Sequence, residues 1–333
     1  MAENKGVMVL GEFSEGKLAA ITKELLGGAR KAADALGEEL SIVLAGSGIG
    51  NLANEAIAFG ADKVYVVDDP LLADYQTDSY LPVMEKIVKQ AKPNILLMGQ
   101  TAIGRDLAPR LAFRLDTAVA MDSLELNIDS ATKALLATRP VYGGNARAVY
   151  TWGETRPQIA TVRAKAMEPR ERDDSRKGEI VKIDSGLTPS MIRTNVVKKV
   201  REEVAGVKLE DAEVVVCGGR GLGSAEAFKE LEALAKLLSG AVGASRPPCD
   251  SGWISSSAQI GLTGKIVSPN LYFAIALSGS SQHMAGCSGA KNIVAINKDP
   301  EANIFKEARF GVVGDYKKVL PALAQKLKEL LSG

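Results

Sequence analysis

The feature of this sequence that most restricts its fold is a repeated alternation of short apolar runs with longer amphipathic segments. The runs VMVLGEF at 7–13, SIVLAGS at 41–47 and NILLMG at 94–99 have the length and composition of buried strands. Apolar residues recur at helical spacing in the intervals, as in 18–36 and 81–91. Strand–helix alternation of this kind predicts an α/β fold with a mainly parallel, doubly wound sheet.

The alternation is interrupted once and then starts again. Residues 117–165 read as extended strands joined by turns, which predicts an added region of antiparallel hairpins. The charge-dense segment 166–179 predicts an exposed loop or linker, with a partner-binding surface as the alternative. The second half then alternates strands with helices, including a helix over 224–240 that Ser224 caps and Gly240 ends.

Length and composition agree with two ordinary α/β domains. The chain has 333 residues, long for a single core, and we expect domains at 1–200 and 201–333. Its 41 basic and 40 acidic side chains leave a net charge of +1, which gives no field to attract nucleic acid or an anionic membrane. No apolar run is long enough to span a bilayer, and the first residues lack the build of a signal peptide, which predicts a cytoplasmic protein.

The cysteines limit the redox chemistry that the chain can hold. The three cysteines, Cys217, Cys249 and Cys287, are widely spaced and odd in number. Such a set predicts neither a disulfide framework, nor a zinc site, nor an iron–sulfur cluster with four clustered ligands. We therefore expect no metal site, and any redox chemistry requires an organic cofactor.

Polar and glycine-rich segments follow each predicted strand of the second half. The densest is GGRGLGS, in which Gly218, Gly219, Gly221 and Gly223 would let the backbone approach a phosphate. The dinucleotide fingerprint G-x-G-x-x-G fails because its third place holds serine, and no Walker lysine follows. His283 is the only histidine, and no serine lies in a G-x-S-x-G elbow, so a catalytic triad is not supported.

The ordered set of these segments resembles a known family. GGRGLGS, VGASRPPCDSG, QIGLTGKIVSPNLY, SGSSQHMAG, AINKDPEANIF and GVVGD occur in the order and spacing of the alpha subunit of electron-transferring flavoprotein. GQTAIGRDLAPRLAFRL at 99–115 and TRPVYGGNARA at 138–148 resemble the same subunit, so the resemblance covers essentially the whole chain.

The resemblance implies one FAD held by the second domain. The matching positions are Arg220, Ser245, Arg246, Gln259, Ile260, Gly261, Leu262, Thr263, Ser278, Gly279, Ser280, Ser281, Gln282, His283, Asn297 and Asp315. It further implies that His283 lies where charge accumulates on the reduced isoalloxazine, that Arg246 covers the ring face and that the Thr263 hydroxyl reaches N5. Asp315 would bind ribose hydroxyls. The sequence departs from the family at Gly223, commonly a lysine, and at Ser281, commonly apolar.

The family's partners follow from the same resemblance. The implied function is an electron carrier rather than a stand-alone catalyst, paired with a beta subunit that the first domain grips as a scaffold. Its donors would be acyl-CoA dehydrogenases or similar enzymes of fatty acid oxidation, and its acceptor a membrane quinone oxidoreductase or another acceptor. The alternatives are a subunit of an electron-bifurcating, NADH-oxidising complex, an NAD-binding dehydrogenase, and a nucleotide-binding regulatory module.

Overall fold

A computed structural model of the protein describes residues 4–144, 146–199 and 207–332. The described chain divides into two units. The first contains residues 4–141 and 147–199, and the second contains 142–144, 146 and 207–332. The domain boundary predicted at 200/201 falls on residues 200–206, which lie outside the described residues.

The first unit alternates strands and helices as expected. Its strands are β1 (Val7–Gly11), β2 (Phe13–Ser14), β3 (Lys17–Leu18), β4 (Leu40–Gly46), β5 (Lys63–Asp68), β6 (Ile95–Gly99), β7 (Val119–Ser123), β8 (Glu125–Ile128), β9 (Leu135–Val141), β10 (Ala146–Tyr150), β11 (Gln158–Val162) and β12 (Glu179–Lys182). Its helices are α1 (Ala20–Leu36), α2 (Leu52–Ala58), α3 (Thr77–Ala91) and α4 (Ala102–Arg114).

A seven-stranded parallel sheet forms the centre of this unit. Its strand order is β12-β5-β4-β1-β6-β11-β7. Alternate residues of β1 enter different apolar layers, with Val7 and Val9 in one and Met8 and Leu10 in the other. This alternation is expected of a strand buried on both faces, and it explains the continuous apolar run.

The hairpin region predicted for 117–165 is confirmed only in part. β8 and β9 pair antiparallel, and the small sheet has the order β10-β9-β8. The prediction was wrong for β7 and β11, which belong to the parallel sheet. The fully buried β11 lies between β6 and β7 and is parallel to both. Strand direction depends on which neighbour the strand finds, so extended sequence alone could not fix it.

The charged segment 166–179 is a loop, as predicted, but it is fastened to the first unit. Asp173 donates its backbone N–H to Ala58 at 2.9 Å, and Arg176 pairs with Asp62 at 3.0 Å. A Cβ at Gly27 of α1 would collide with the Glu168 carbonyl of the loop, and a Cβ at Gly28 would collide with the Met167 side chain. The paired glycines inside α1 are therefore explained by the close passage of this loop.

Thr101 caps α4 and connects it to the loop after β1. Its hydroxyl accepts from the Gly104 N–H at 3.1 Å and donates to Glu12 at 2.7 Å. Burial raises the pKa of Glu12. We expect Thr101→Ala to lower the free energy of unfolding by about 1–2 kcal/mol, since both bonds are lost. Urea unfolding measures this, and Thr101→Ser, which keeps the hydroxyl, should stay close to the unsubstituted protein; equal losses in the two variants would contradict the capping role.

The second unit is a smaller α/β unit. Its strands are β13 (Val214–Gly218), β14 (Ala241–Ala244), β15 (Leu271–Ile275), β16 (Ile293–Asn297) and β17 (Phe310–Val313). Its helices are α5 (Phe228–Leu237), α6 (Arg246–Asp250), α7 (Ser281–Cys287), α8 (Ile304–Glu307) and α9 (Tyr316–Ser332).

The five strands form a parallel sheet in the order β14-β13-β15-β16-β17. Apolar layers cover both of its faces, with Val215 and Cys217 in one layer and Val216 in the other. This is the doubly wound sheet that the sequence predicted. No helix among the described residues is long and apolar enough to cross a membrane.

The helix predicted over 224–240 is shorter than expected. α5 begins at Phe228, four residues after the predicted cap, and Ser224 hydrogen-bonds to Glu226 instead of capping a helix. Short polar side chains compete with helix initiation in this way. Gly240 does follow the helix, and its N–H bonds to the Ala235 carbonyl at 2.8 Å. A Cβ there would collide with Val214 of β13, so close packing also requires this glycine.

Candidate functional site

A crevice of about 450 Å³ opens at the carboxyl ends of the strands in the second unit. β14 lies next to β13 on one edge, and β15 lies next to β13 on its opposite edge. The chain therefore leaves β13 in one direction across the sheet and returns on the other. The carboxyl ends of β13 and β15 therefore form a topological switch point, where open α/β sheets bind their ligands. The crevice is lined by Arg220, Gly221, Ser245, Pro247, Ala276, Leu277, Ser278, Gly279, Ser280, His283, Asn297, Asp299 and Ala302.

Two glycines bring the loops after β13 and β15 into close contact. The Gly221 N–H donates to the Ala276 carbonyl at 3.1 Å, and a Cβ at Gly221 would lie 2.8 Å from that oxygen. A Cβ at Gly219 would lie 2.5 Å from the Leu277 Cα. Ala276 itself has a φ of 53°, an unusual conformation for a residue with a side chain. The bottom of the crevice is therefore closely packed backbone, which leaves no room for a Cβ at Gly219 or Gly221.

The loop after β15 is joined to the chain that follows β16. Gly279 has a φ of 75°, and a Cβ there would lie 2.5 Å from the Ile304 nitrogen. Ile304 in turn donates its N–H to the Ser278 carbonyl at 3.0 Å. The Asn297 amide donates to the Leu277 carbonyl at 2.8 Å, and its oxygen accepts from the backbone N–H of Asp299 at 3.0 Å. These bonds give the crevice a fixed shape.

His283 lies in α7 and is 5% exposed. Its Nδ1 is 3.0 Å from the Ile260 carbonyl, and its Nε2 is 2.9 Å from the Tyr272 hydroxyl. Burial lowers the His283 pKa to about 4, so the ring is neutral at pH 7. Both ring nitrogens are hydrogen-bonded to protein groups in this structure, and the predicted bond from His283 to a flavin stays a prediction.

The crevice brings together seven of the predicted site residues. They are Arg220, Ser245, Ser278, Gly279, Ser280, His283 and Asn297. Arg246 is instead exposed and pairs with Asp250 of its own helix at 3.1 Å. Asp315 accepts from the Lys317 N–H at 3.0 Å at the start of α9. The cofactor contacts predicted for Arg246 and Asp315 stay predictions.

The predicted residues 259–263 form a tight loop beside α7. The Gln259 amide donates to the Thr263 hydroxyl at 3.0 Å, and the Leu262 N–H donates to the Gln282 carbonyl at 2.7 Å. Gly261 between them has a φ of 150°, which glycine adopts readily. The loop therefore contacts α7, which carries the exposed Ser281 and Gln282. The residues of the loop itself do not line the crevice.

Sequence reasoning missed several crevice residues. Pro247 and Asp299 lie one and two residues after predicted site positions, and their closeness to a strand end was a usable signal. Ala276, Leu277 and Ala302 gave no signal because small and apolar residues in loops have no distinctive chemistry.

The donor set fits a large phosphate-bearing ligand. Arg220 offers an exposed guanidinium, the Ser278 and Ser280 side chains are exposed, and the Ser280 hydroxyl does not cap α7. Asp299 adds a carboxylate of the kind that binds ribose hydroxyls. The crevice volume falls within the usual range of about 300–1,000 Å³ for ligand pockets. Gly223, where the family commonly has lysine, has a φ of 87°, a conformation that suits glycine better than lysine.

Comparisons with known proteins agree with this arrangement. Residues 7–187 match the electron transfer flavoprotein domain, and residues 208–288 match the electron transfer flavoprotein FAD-binding domain. The second match includes every predicted site residue except Asn297 and Asp315. FAD is accordingly the cofactor of the second unit.

Curated relatives match over the full length of the chain. The electron transfer flavoprotein subunit alpha of Thermoanaerobacterium thermosaccharolyticum is 46% identical over 330 residues, covering 99% of this chain and 100% of the relative. That of Megasphaera elsdenii is 45% identical, covering 99% and 98%. Protein FixB of Azorhizobium caulinodans is 41% identical, covering 98% and 90%. The switch-point crevice, the two domain matches and these identities place the chain in the electron transfer flavoprotein alpha-subunit family.

Proposed function

We propose that this chain is the alpha subunit of a heterodimeric electron carrier that binds FAD in the switch-point crevice. It takes electrons from dehydrogenases of the acyl-CoA dehydrogenase type and passes them to a quinone reductase or another acceptor. The observation that carries the proposal is the crevice itself, most of whose lining lies within the FAD-binding domain match and which brings Arg220, Ser278 and Ser280 together. The hydrogen-bonding groups of the crevice include no nucleophile paired with a base, which favours a carrier over a stand-alone catalyst.

The chain's own residues hold and orient the cofactor. Flavin supplies reversible one- and two-electron transfer when it is bound. Arg220 provides positive charge for the pyrophosphate, and the Ser278 and Ser280 hydroxyls provide donors beside it. Asn297 fixes the Leu277 carbonyl, and so keeps the loop after β15 in place. The neutral imidazole of His283 borders the same crevice.

The beta subunit is the proposed partner of the first unit. The first unit has its own seven-stranded sheet and holds none of the predicted cofactor residues, which suits a scaffold. Relatives of this chain carry the name of a subunit, which supports an assembly with a second chain. An electron-bifurcating complex, the alternative function, would contain a second flavin, held mainly by the beta subunit.

The test is co-expression with the beta subunit encoded in the same genome, followed by denaturation and nucleotide analysis. We expect a yellow complex that releases FAD; a colourless complex that lacks flavin and binds no added FAD would overturn the proposal. One FAD with AMP favours the simple carrier, and two FAD per heterodimer with NADH oxidation would contradict it. Reduction by an acyl-CoA dehydrogenase with its substrate tests the donor, and failure of that reduction would contradict the proposed donor class.

Arg220→Ala should weaken FAD binding about tenfold. A charge-assisted hydrogen bond contributes about 1.5–3 kcal/mol, and an exposed guanidinium such as Arg220 lies at the low end. Titration of FAD into the deflavinated complex measures the dissociation constant. Arg309→Ala is the matched control, because Arg309 is an exposed arginine of the same unit that bonds Asn292 away from the crevice. Equal affinities in the two variants would remove Arg220 from the site.

A further inference from the structure

A buried polar cluster lies directly behind the crevice. Tyr272 of β15 is 0% exposed, and its hydroxyl is 2.9 Å from the His283 Nε2. The Cys217 thiol lies 3.9 Å from the same nitrogen. In the sequence, Tyr272 is the last residue of the segment QIGLTGKIVSPNLY, and no role was predicted for it. A buried tyrosine hydroxyl needs a partner, and here the partner is the one histidine of the chain.

The position of the ring proton follows from the partners of the two nitrogens. The Ile260 carbonyl, 3.0 Å from Nδ1, can only accept a hydrogen bond, so Nδ1 carries the proton. A neutral ring then has its lone pair on Nε2. The Tyr272 hydroxyl is the strong donor within reach of that lone pair, since the Cys217 thiol is farther away and a weak donor.

The opposite tautomer would be poorly accommodated. A proton on Nε2 would leave the Nδ1 lone pair facing the Ile260 carbonyl oxygen, and two buried acceptors would then face each other. Rotating the ring out of this arrangement would break both hydrogen bonds inside a packed layer that contains Met284 and Cys287. The surroundings of His283 therefore accommodate one neutral tautomer.

We propose that Tyr272 is a positioning residue for His283: its hydroxyl donates to Nε2 and, together with the Ile260 carbonyl on Nδ1, holds the ring in a single orientation with the proton on Nδ1. The crevice is thereby bordered by a neutral imidazole of defined tautomer. The role of this ring orientation in electron transfer depends on the proposed FAD site, whereas the assignment of the tautomer does not. Burial raises the Tyr272 pKa well above its usual value, so the hydroxyl keeps its proton.

The single histidine makes the proposal directly measurable. The flavin-loaded heterodimer is assembled from this chain, labelled with ring-¹⁵N histidine, and an unlabelled beta subunit. Two-dimensional ¹H–¹⁵N spectra then show two ring nitrogens from one residue. At pH 7 we expect a protonated, pyrrole-type Nδ1 and an unprotonated, pyridine-type Nε2. A protonated Nε2, or rapid averaging of the two forms, would overturn the proposal whatever happens with any variant.

Tyr272→Phe removes the hydroxyl and keeps the ring. We expect a displaced Nε2 resonance, because its donor is lost, and a second tautomer or averaged signals. Tyr316→Phe is the matched control, because Tyr316 is also buried in the second unit and donates its hydroxyl to the Leu222 carbonyl at 2.9 Å. It should leave both nitrogens unchanged. Unchanged nitrogens in Tyr272→Phe, or equal displacement in both variants, would refute the positioning role.

The outcome is separable from that of the proposed function. Flavin content and the visible spectrum of the same samples report whether FAD is bound, whereas the nitrogen shifts report the tautomer. A heterodimer that lacks FAD but has the expected tautomer would contradict the proposed function alone. A yellow complex with the proton on Nε2 would contradict the positioning role alone.

Discussion

Replacing Gly219 with alanine should remove most of the bound FAD and lower the free energy of unfolding by about 3 kcal/mol. The new Cβ would lie 2.5 Å from the Leu277 Cα and would also collide with the Ala276 carbonyl. Both obstacles are backbone, so no side-chain rotation relieves them. The loops after β13 and β15 must separate, and overpacking of this kind costs about 1–3 kcal/mol, with backbone obstacles at the upper end.

The separation occurs at the switch point, so cofactor binding should suffer more than folding does. The measurements are flavin content after purification and the urea midpoint of the complex. Gly50→Ala is the control, because a Cβ at Gly50 meets nothing within 4 Å; it should change neither value. Full flavin content in Gly219→Ala would show that the close approach of the two loops is not needed for the site.

Much of the fold was readable from the sequence because buried parallel strands leave a strong signal. β1, β4 and β6 lie within one or two residues of the apolar runs that predicted them. Such runs are continuous because both sheet faces are covered. The direction of β11 was not readable, since the pairing partner is distant in sequence. The reason for the glycine pair in α1 could not be predicted either, because these glycines are required by the close passage of the loop at 167–168.

The candidate site was predicted in outline and not in detail. Arg220 and Asn297 could be expected at the switch point because they lie at the carboxyl ends of strands in an open parallel sheet, Asn297 as the last residue of β16 and Arg220 two residues after β13. The conformation of Ala276 could not be expected, because a positive φ in alanine arises from tertiary contacts and leaves no trace in the residue type. Neither could the bond between Tyr272 and His283, which joins a strand to the helix that follows it.

Acidification from pH 7 to pH 4 should cost the protein about 3 kcal/mol through His283 alone. Burial lowers the His283 pKa from 6.5 to about 4 in the folded chain. Between these two values the unfolded chain takes up a proton that the folded chain does not, so the free energy of unfolding falls as the pH falls. Above pH 6.5 both states are neutral and nothing is lost; below about pH 4 both are charged and the loss is complete. The difference of about 2.5 pKa units corresponds to about 3 kcal/mol.

The variant His283→Asn isolates this term, because it leaves the chain without histidine. The other titratable groups around the ring, Tyr272, Cys217 and Cys287, have pKa values raised by burial and stay uncharged across this window. Urea unfolding at pH 7 and pH 4 gives the pH-dependent loss for each protein, and carboxylates elsewhere contribute equally to both. The unsubstituted protein should lose about 3 kcal/mol more than the variant. Equal losses would mean that His283 takes up its proton at an ordinary pH in the folded chain, and that its burial does not lower its pKa.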